Sequence, residues 1–286
     1  MRLRRAEDVA SLNRDTWSQP ATLAEFTRLQ GFVDAGERAA LLAAAPRVRG
    51  LPALDVGVGA GRTVPLLRLL TDDYVGVDYA PAMVEACRRG HPGTDVRLGD
   101  ARTLEFEDAR FGFAQFSFSG IDGLDHTDRG RVLRELFRVL RPGGWLLFSS
   151  HNLDGPDPRD RPWRVERRQG RSRLYRAARW TLRLPFSLPR YRRRWLNWWR
   201  HRELNRSGEG WEMRVAAPHD FGLVIHYVRF DVLLAEVAEA GFGTVEVYDS
   251  ERGARVTRGD DTRHVHAFHV LAQKPRAGVG LQASGS

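Results

Sequence analysis

The feature that most constrains this chain is a glycine turn. Asp55-Val56-Gly57-Val58-Gly59-Ala60-Gly61 completes a short apolar run that begins at Ala53, and it opens a helical stretch from Thr63 to Leu70. Glycines there let a strand turn tightly into a helix and let a ligand approach the backbone. A second apolar run, Tyr74-Val75-Gly76-Val77, ends in Asp78, 17 residues beyond Gly61. A carboxylate at that point can accept hydrogen bonds from both ribose hydroxyls of an adenosine moiety. The glycines alone are a weak signal; the order strand, glycines, helix, strand, acid is a strong one.

Two details bear on which adenosine ligand this is. The dinucleotide fingerprint G-x-G-x-x-G would place its third glycine at residue 62, which is Arg62. The acid Asp55 stands two residues before the first glycine. A carboxylate repels a pyrophosphate but is attracted to a ligand carrying an ammonium and a sulfonium, which favours S-adenosylmethionine over a nicotinamide dinucleotide.

The rest of the chain continues the alternation. Residues 1–50 read as helices, the second ending at Pro46. Strands are expected at 95–98, 113–118 and 145–150, with helices at 82–87 and around Val132, Leu133, Leu136, Phe137 and Leu140, one apolar stripe. A helix from Val232 to Ala240 precedes two last strands, 244–248 and 264–272. Strands alternating with helices imply an α/β fold with a mostly parallel sheet covered on both faces. The loop 249–263 has no room for a crossover helix, so the final pair should be antiparallel.

Charge is unevenly placed. Residues 158–214 hold 18 arginines against five acidic residues, a net +13, which leaves −4 for the remainder of a chain whose total is +9. The same segment carries six of the eight tryptophans. The basic character therefore belongs to an insert after the fifth strand, which weakens any argument from net charge to nucleic-acid binding by the main body. No run approaches the roughly 18 apolar residues of a membrane span. Met1-Arg2-Leu3-Arg4-Arg5 is followed by Ala6-Glu7-Asp8, unlike a secretory leader. The single cysteine, Cys87, excludes an internal disulfide framework and any multi-cysteine metal site. A cytoplasmic location is the simplest expectation.

Together Asp55 to Gly61, Asp78, Gly99-Asp100-Ala101 and Leu140-Arg141-Pro142-Gly143-Gly144 resemble the motifs of class I S-adenosylmethionine-dependent methyltransferases. The resemblance covers roughly residues 50–150 and 228–273. It implies a Rossmann-like seven-stranded sheet with the last strand antiparallel. It also implies S-adenosylmethionine as cofactor, with Asp55 near the amino-acid end through water or backbone and with Gly57, Gly59 and Gly61 lining it. Asp78 would hold the ribose. Tyr79 and Met83 would pack near the adenine, although Met83 as core filling is an equal reading. Asp100 would accept the adenine amino group and Ala101 would donate from its backbone. Phe118 and Ser119 would border the methyl group. Trp17 could belong to a helical lid.

The division expected is a helical segment or lid at 1–50, a cofactor-binding core at 51–152 and 228–275, an Arg/Trp-rich and mostly helical substrate cap at 153–227, and a flexible tail at 276–286. The expected reaction is methyl transfer to an oxygen or nitrogen of a small molecule. A hydroxyl acceptor needs its proton removed, which suits a histidine; His126, His151 and His219 are the candidates, while His264, His266 and His269 read as structural. Asp122, Asp125 and Asn152 match no metal motif, so no metal is expected. The insert, in which Trp195, Trp198, Trp199 and Arg202 would share one side of a helix, fits a cap over small-molecule acceptors. It also admits an RNA substrate, peripheral membrane contact with a lipid-linked substrate, or a non-catalytic binding role. The oligomeric state is open.

Overall fold

All four residues of strand β1 (Ala53–Val56) are buried, and the strand lies at the centre of the sheet. The computed structural model describes residues 7–156, 161–162 and 189–276. The expected terminal tail, apart from Arg276, and Trp163 and Trp180 of the insert lie outside them.

Outward from β1 on one side run β2 (Tyr74–Asp78) and β3 (Asp95–Leu98); on the other run β4 (Phe111–Phe116) and β5 (Leu140–Asn152). These five pair parallel. The last long strands, β9 (Val245–Asp249) and β11 (Ala267–Gln273), are antiparallel to each other, with β11 inserted antiparallel beside β5. That is the expected seven-stranded arrangement. A two-residue strand, β10 (Arg255–Val256), adds to β9 inside what reads as loop in the sequence.

The insert departs from expectation. Residues 189–201 form a helix, α7, but β6 (Arg206–Gly208), β7 (Trp211–Ala216) and β8 (Leu223–Val228) follow as an antiparallel set. β8 then pairs parallel with the end of β5, His151 opposite Tyr227 and Asn152 opposite Val228. The described insert is thus as much sheet as helix. The cause is local: Met213 and Val215 are buried while Glu212 and Arg214 are less so, a period of two that commits the segment to a strand.

Helices cover the faces. α3 (Ala35–Val48) is capped by Asp34, whose carboxylate accepts the Glu37 N–H at 2.8 Å. It runs two residues past Pro46, which was expected to end it. The hydrogen bond that Pro46 cannot make would have gone to the carbonyl of Leu42, a residue 70% exposed on the solvent side of the helix. α4 (Val64–Arg68) follows the glycine turn, and α5 (Pro81–Gly90) buries Met83, Val84, Ala86 and Cys87. α6 (His126–Val139) buries Val132, Leu133 and Leu136 completely. α8 (Pro218–Phe221) is a single turn, and α9 (Phe230–Glu239) returns the chain to the sheet.

α1 (Glu7–Trp17) and α2 (Pro20–Arg28) lie over the carboxyl ends of the strands. The Asn13 side chain donates to the carbonyls of Gly123 at 2.8 Å and Val224 at 2.9 Å, and accepts the Val224 N–H at 3.0 Å. Thr16 donates to the Gly222 carbonyl at 2.6 Å. The amino-terminal helices are thereby bound to β8.

Candidate active site

A cavity of about 790 Å³ opens at the carboxyl ends of the central strands, beneath α1 and α2. Small-molecule sites span roughly 300–1,000 Å³, so this one is large. Gly57, Gly59, Asp78, Tyr79, Met83, Asp100, Ala101, Phe118, Ser119, His151 and His219 line it; Asp55, Gly61 and His126 do not.

The glycine turn forms for steric reasons. At Gly57, φ is +63° and a Cβ would meet the Phe116 ring at 2.6 Å; at Gly61, φ is +92° and a Cβ would meet the Cys87 sulfur at 2.9 Å. Gly61 therefore serves packing against α5 rather than the cavity wall. Asp78 ties the turn down. Its Oδ2 accepts the Gly59 N–H and its Oδ1 the Ala80 N–H, each at 2.9 Å. Burial pushes its pKa up to about 6, against the pull of those N–H groups.

Asp55 is wholly buried behind the turn. Thr63 and Tyr74 hydroxyls donate to its Oδ2 at 2.7 and 2.9 Å, and burial pushes its pKa up to about 6. Through Tyr74 it braces β1 against β2. Asp100 is turned toward Arg102, whose guanidinium grips both carboxylate oxygens at 2.6–3.1 Å. Burial would raise the Asp100 pKa, but the Arg102 bonds hold it below the usual range.

Arg62, at the position of the missing third glycine, is a structural hub that the sequence does not announce. Its guanidinium pairs with buried Glu37 at 2.7 and 2.8 Å, donates to Ser117 Oγ at 2.8 Å and to the Phe32 carbonyl, and lies 5.0 Å from the centre of the Phe118 ring. Strand β4 ends at Phe116, short of the expected 118, because Phe118 and Ser119 both adopt φ of +54°. The Ser119 N–H is thereby turned to Ser149 Oγ at 2.7 Å. Left-handed non-glycine residues are costly and cluster at functional sites.

The three candidate histidines separate. His151 sits on β5 where it enters the cavity, and Asp122 Oδ2 accepts both its backbone N–H and its ring Nδ1 at 2.7 Å. Asp122 is 1% exposed; its other oxygen takes Ser150 Oγ at 2.7 Å and the guanidinium of fully buried Arg129. His219 stands on α8, where His219, Asp220 and Phe221 all have positive φ of 51–64°. Its Nδ1 is 3.1 Å from Thr22 Oγ1, and its ring meets the edge of Trp17 at 5.5 Å. Arg190 and Arg193 of α7 hold Asp220 at 3.0 and 2.5 Å, fixing that turn. His126 lies away from the cavity, stacked on Trp211 at 4.1 Å.

Trp17 also meets Phe26 edge-on at 5.2 Å, and Phe26 meets Phe118 at 5.9 Å, which makes an aromatic roof. Met83 lies 3% exposed among Ala60, Ala80 and Ala86 and also borders the cavity. His266 and His269, expected to be structural, line the opposite wall; His269 Nε2 is 2.9 Å from Asp34, which lines it too. The sequence offers no signal for that pair, 235 residues apart.

Among the described residues no helix is long and apolar enough to cross a membrane. Residues 54–148 match the methyltransferase domain family. Over 108 residues the chain is 34% identical to a protein named as a probable S-adenosylmethionine-dependent methyltransferase of Mycolicibacterium smegmatis, covering 38% of this chain and 41% of that one. Over 144 residues it is 31% identical to the malonyl-[acyl-carrier protein] O-methyltransferase of Serratia marcescens, covering 48% and 54%. The chain thus spans about half the length of these relatives. The crystal structure of Burkholderia thailandensis 1,6-didemethyltoxoflavin-N1-methyltransferase shares the fold at a TM-score of 0.59 and 14% identity, over 96% of this chain and 92% of that one. Residues 54–148 thus carry a methyltransferase domain, with the glycine turn and the acid after β2 both inside the match.

Proposed function

We propose that this chain moves a methyl group from S-adenosylmethionine to an oxygen or nitrogen of a small molecule held in the same cavity, with His151 as the base. The observation that carries the reading is the His151–Asp122 pair, set in the cavity that Gly57, Gly59 and Asp78 also line. When bound, S-adenosylmethionine supplies a methyl carbon already activated by its positive sulfur.

The chain's own residues do the rest. Asp78 spends one lone pair of Oδ2 on the glycine turn and one of Oδ1 on the Ala80 N–H, and keeps others for the ribose hydroxyls. Tyr79 and Met83 flank the adenine. Ala101 meets it through the backbone, while the Asp100 carboxylate is committed to Arg102. Phe118 and Ser119 border the transfer point. Asp122 can only accept, so the His151 ring carries its proton on Nδ1 and presents a lone pair on Nε2. That nitrogen takes the proton of the acceptor, and Asp122 stabilises the resulting imidazolium. The aromatic roof excludes water and fixes the acceptor for in-line attack, the source of part of the roughly 7–11 kcal/mol available from orientation.

Apolar Phe26, Leu124, Leu223 and Ile225 on the cavity wall suit an aromatic or aliphatic acceptor. The O-methyltransferase name of the Serratia relative supports oxygen as the acceptor atom. The test is labelled-methyl transfer to cell metabolite, lipid and RNA fractions side by side, with wild type and His151→Gln. Label in small molecules that the variant fails to place supports the reading. Label confined to ribonuclease-sensitive material, or no turnover despite cofactor binding, overturns it.

A further inference from the structure

His126, His226 and Glu236 converge from three separate elements, α6, β8 and α9, outside the cavity. We propose that they form a binding site for a zinc-type divalent cation that clips the insert to the core.

The geometry is that of a partial coordination shell. His126 Nδ1 lies 3.2 Å from His226 Nε2 and 3.7 Å from Glu236 Oε1, and all three donor atoms fall within 4.8 Å of one another. A zinc tetrahedron with bonds of about 2.0–2.1 Å has edges of about 3.3 Å. Two imidazole nitrogens and one carboxylate oxygen are a donor set that zinc accepts readily. The two edges at His126, 3.2 and 3.7 Å, bracket that length, and the ion would draw Glu236 and His226 together to close the third.

Without a cation the cluster leaves polar atoms unserved. Glu236 Oε1 is buried and has no hydrogen-bond partner, although the other oxygen, Oε2, takes Arg129 at 2.9 Å. Among the described residues His126 and His226 share one hydrogen bond between the facing nitrogens, and His226 is 0% exposed. A bound cation would use the lone pairs of both rings and satisfy Oε1 at once. Arg129 repels a cation, but Asp122 and Glu236 outnumber it. Trp211 stacks on His126 and covers one side of the ring, and the His126 side chain remains 37% exposed, which leaves a fourth position for water.

The consequence of occupancy is mechanical. His226 adjoins Tyr227, which pairs with His151 across β5 and β8. Glu236 is joined through Arg129 to Asp122. A cation here would lock the end of the sheet on which His151 sits.

The experiment uses the full chain, stripped with chelator, dialysed against zinc and desalted, with metal content read by atomic spectroscopy. Cobalt substitution adds a spectroscopic signature, since a tetrahedral site gives an intense visible band. Wild type should retain one zinc per chain and melt at a higher temperature with zinc than without. His126→Gln replaces a half-exposed ring, so its metal-free melting temperature should stay near wild type while zinc affinity drops at least about tenfold. Glu236→Gln should lose the cobalt band. Equal zinc content in wild type and both variants, or no retained zinc in wild type, overturns the proposal, whatever the outcome for methyl transfer.

Discussion

One oxygen of Asp122 receives two hydrogen bonds from His151, from the backbone N–H and from the ring, each at 2.7 Å. The carboxylate fixes both where the residue sits and which ring nitrogen holds the proton. Replacing the ring and replacing its holder should therefore differ. His151→Gln is expected to lower kcat at least about 100-fold, the lower range for losing a general base, with cofactor affinity and melting unchanged. Asp122→Asn should lose activity and also shift the denaturant midpoint, because it weakens the pairing of fully buried Arg129, an effect on the order of 3 kcal/mol. A wild-type rate in His151→Gln would remove the base assignment.

The proposed role of Asp78 predicts that cofactor affinity depends on pH. Burial lifts its pKa to about 6 from an ordinary 3.8, so the folded chain binds the proton more tightly than the unfolded chain does. Folding stability from this group is then present below about pH 4 and is lost as pH rises through 6. On the proposed reading ribose hydroxyls donate to the carboxylate, so cofactor binding should run the other way. Affinity for S-adenosylhomocysteine, measured by calorimetric titration, should be flat above about pH 6 and fall toward tenfold per unit below it. Asp78→Asn should cost about 1–3 kcal/mol of affinity at pH 7.5 and flatten the profile.

Arg62 and Glu37 are buried partners at 2.7 Å, with side-chain exposures of 6% and 2%. Arg62→Met strands a buried carboxylate and should destabilise by about 3–5 kcal/mol in urea unfolding. Arg62→Met combined with Glu37→Gln should recover much of that loss. Additive losses in the double variant would show that the pair is not a coupled unit.

Trp17 closes the roof through edge contacts with Phe26 and His219. Each such contact contributes about 0.5–1.5 kcal/mol. Trp17→Ala should speed cofactor dissociation about tenfold in a stopped-flow chase, with association little changed. An unaltered dissociation rate would mean that the roof does not retain the ligand.

The sheet order was readable because each core strand is a short apolar run between turn signals, and because Asp78 stands at a fixed place after the glycines. β7 was less visible although its alternation is present: Trp211, a large aromatic at a less buried position, and the arginine-rich stretch before it mask the period of two. Phe118 reads as strand by composition, yet the chain breaks at Phe116, where side-chain bonds to Ser149 and Arg62 outweigh the local preference. The candidate base was legible only as one of three histidines. What singles out His151 is Asp122, 29 residues earlier on a different element, and only the folded chain brings them together. Asp55 stands in the expected motif position, but the Thr63 and Tyr74 hydroxyls that hold its Oδ2 come from outside the motif and are not announced by it.

The joint between β8 and the end of β5 has a consequence for engineering. The Asn13 and Thr16 side chains clasp the backbone of Val224 and Gly222. A chimaera that exchanged 206–228 alone would leave α1 facing a foreign partner. Swapping acceptor preference in this scaffold requires transplanting two stretches, remote in the gene, as one matched pair.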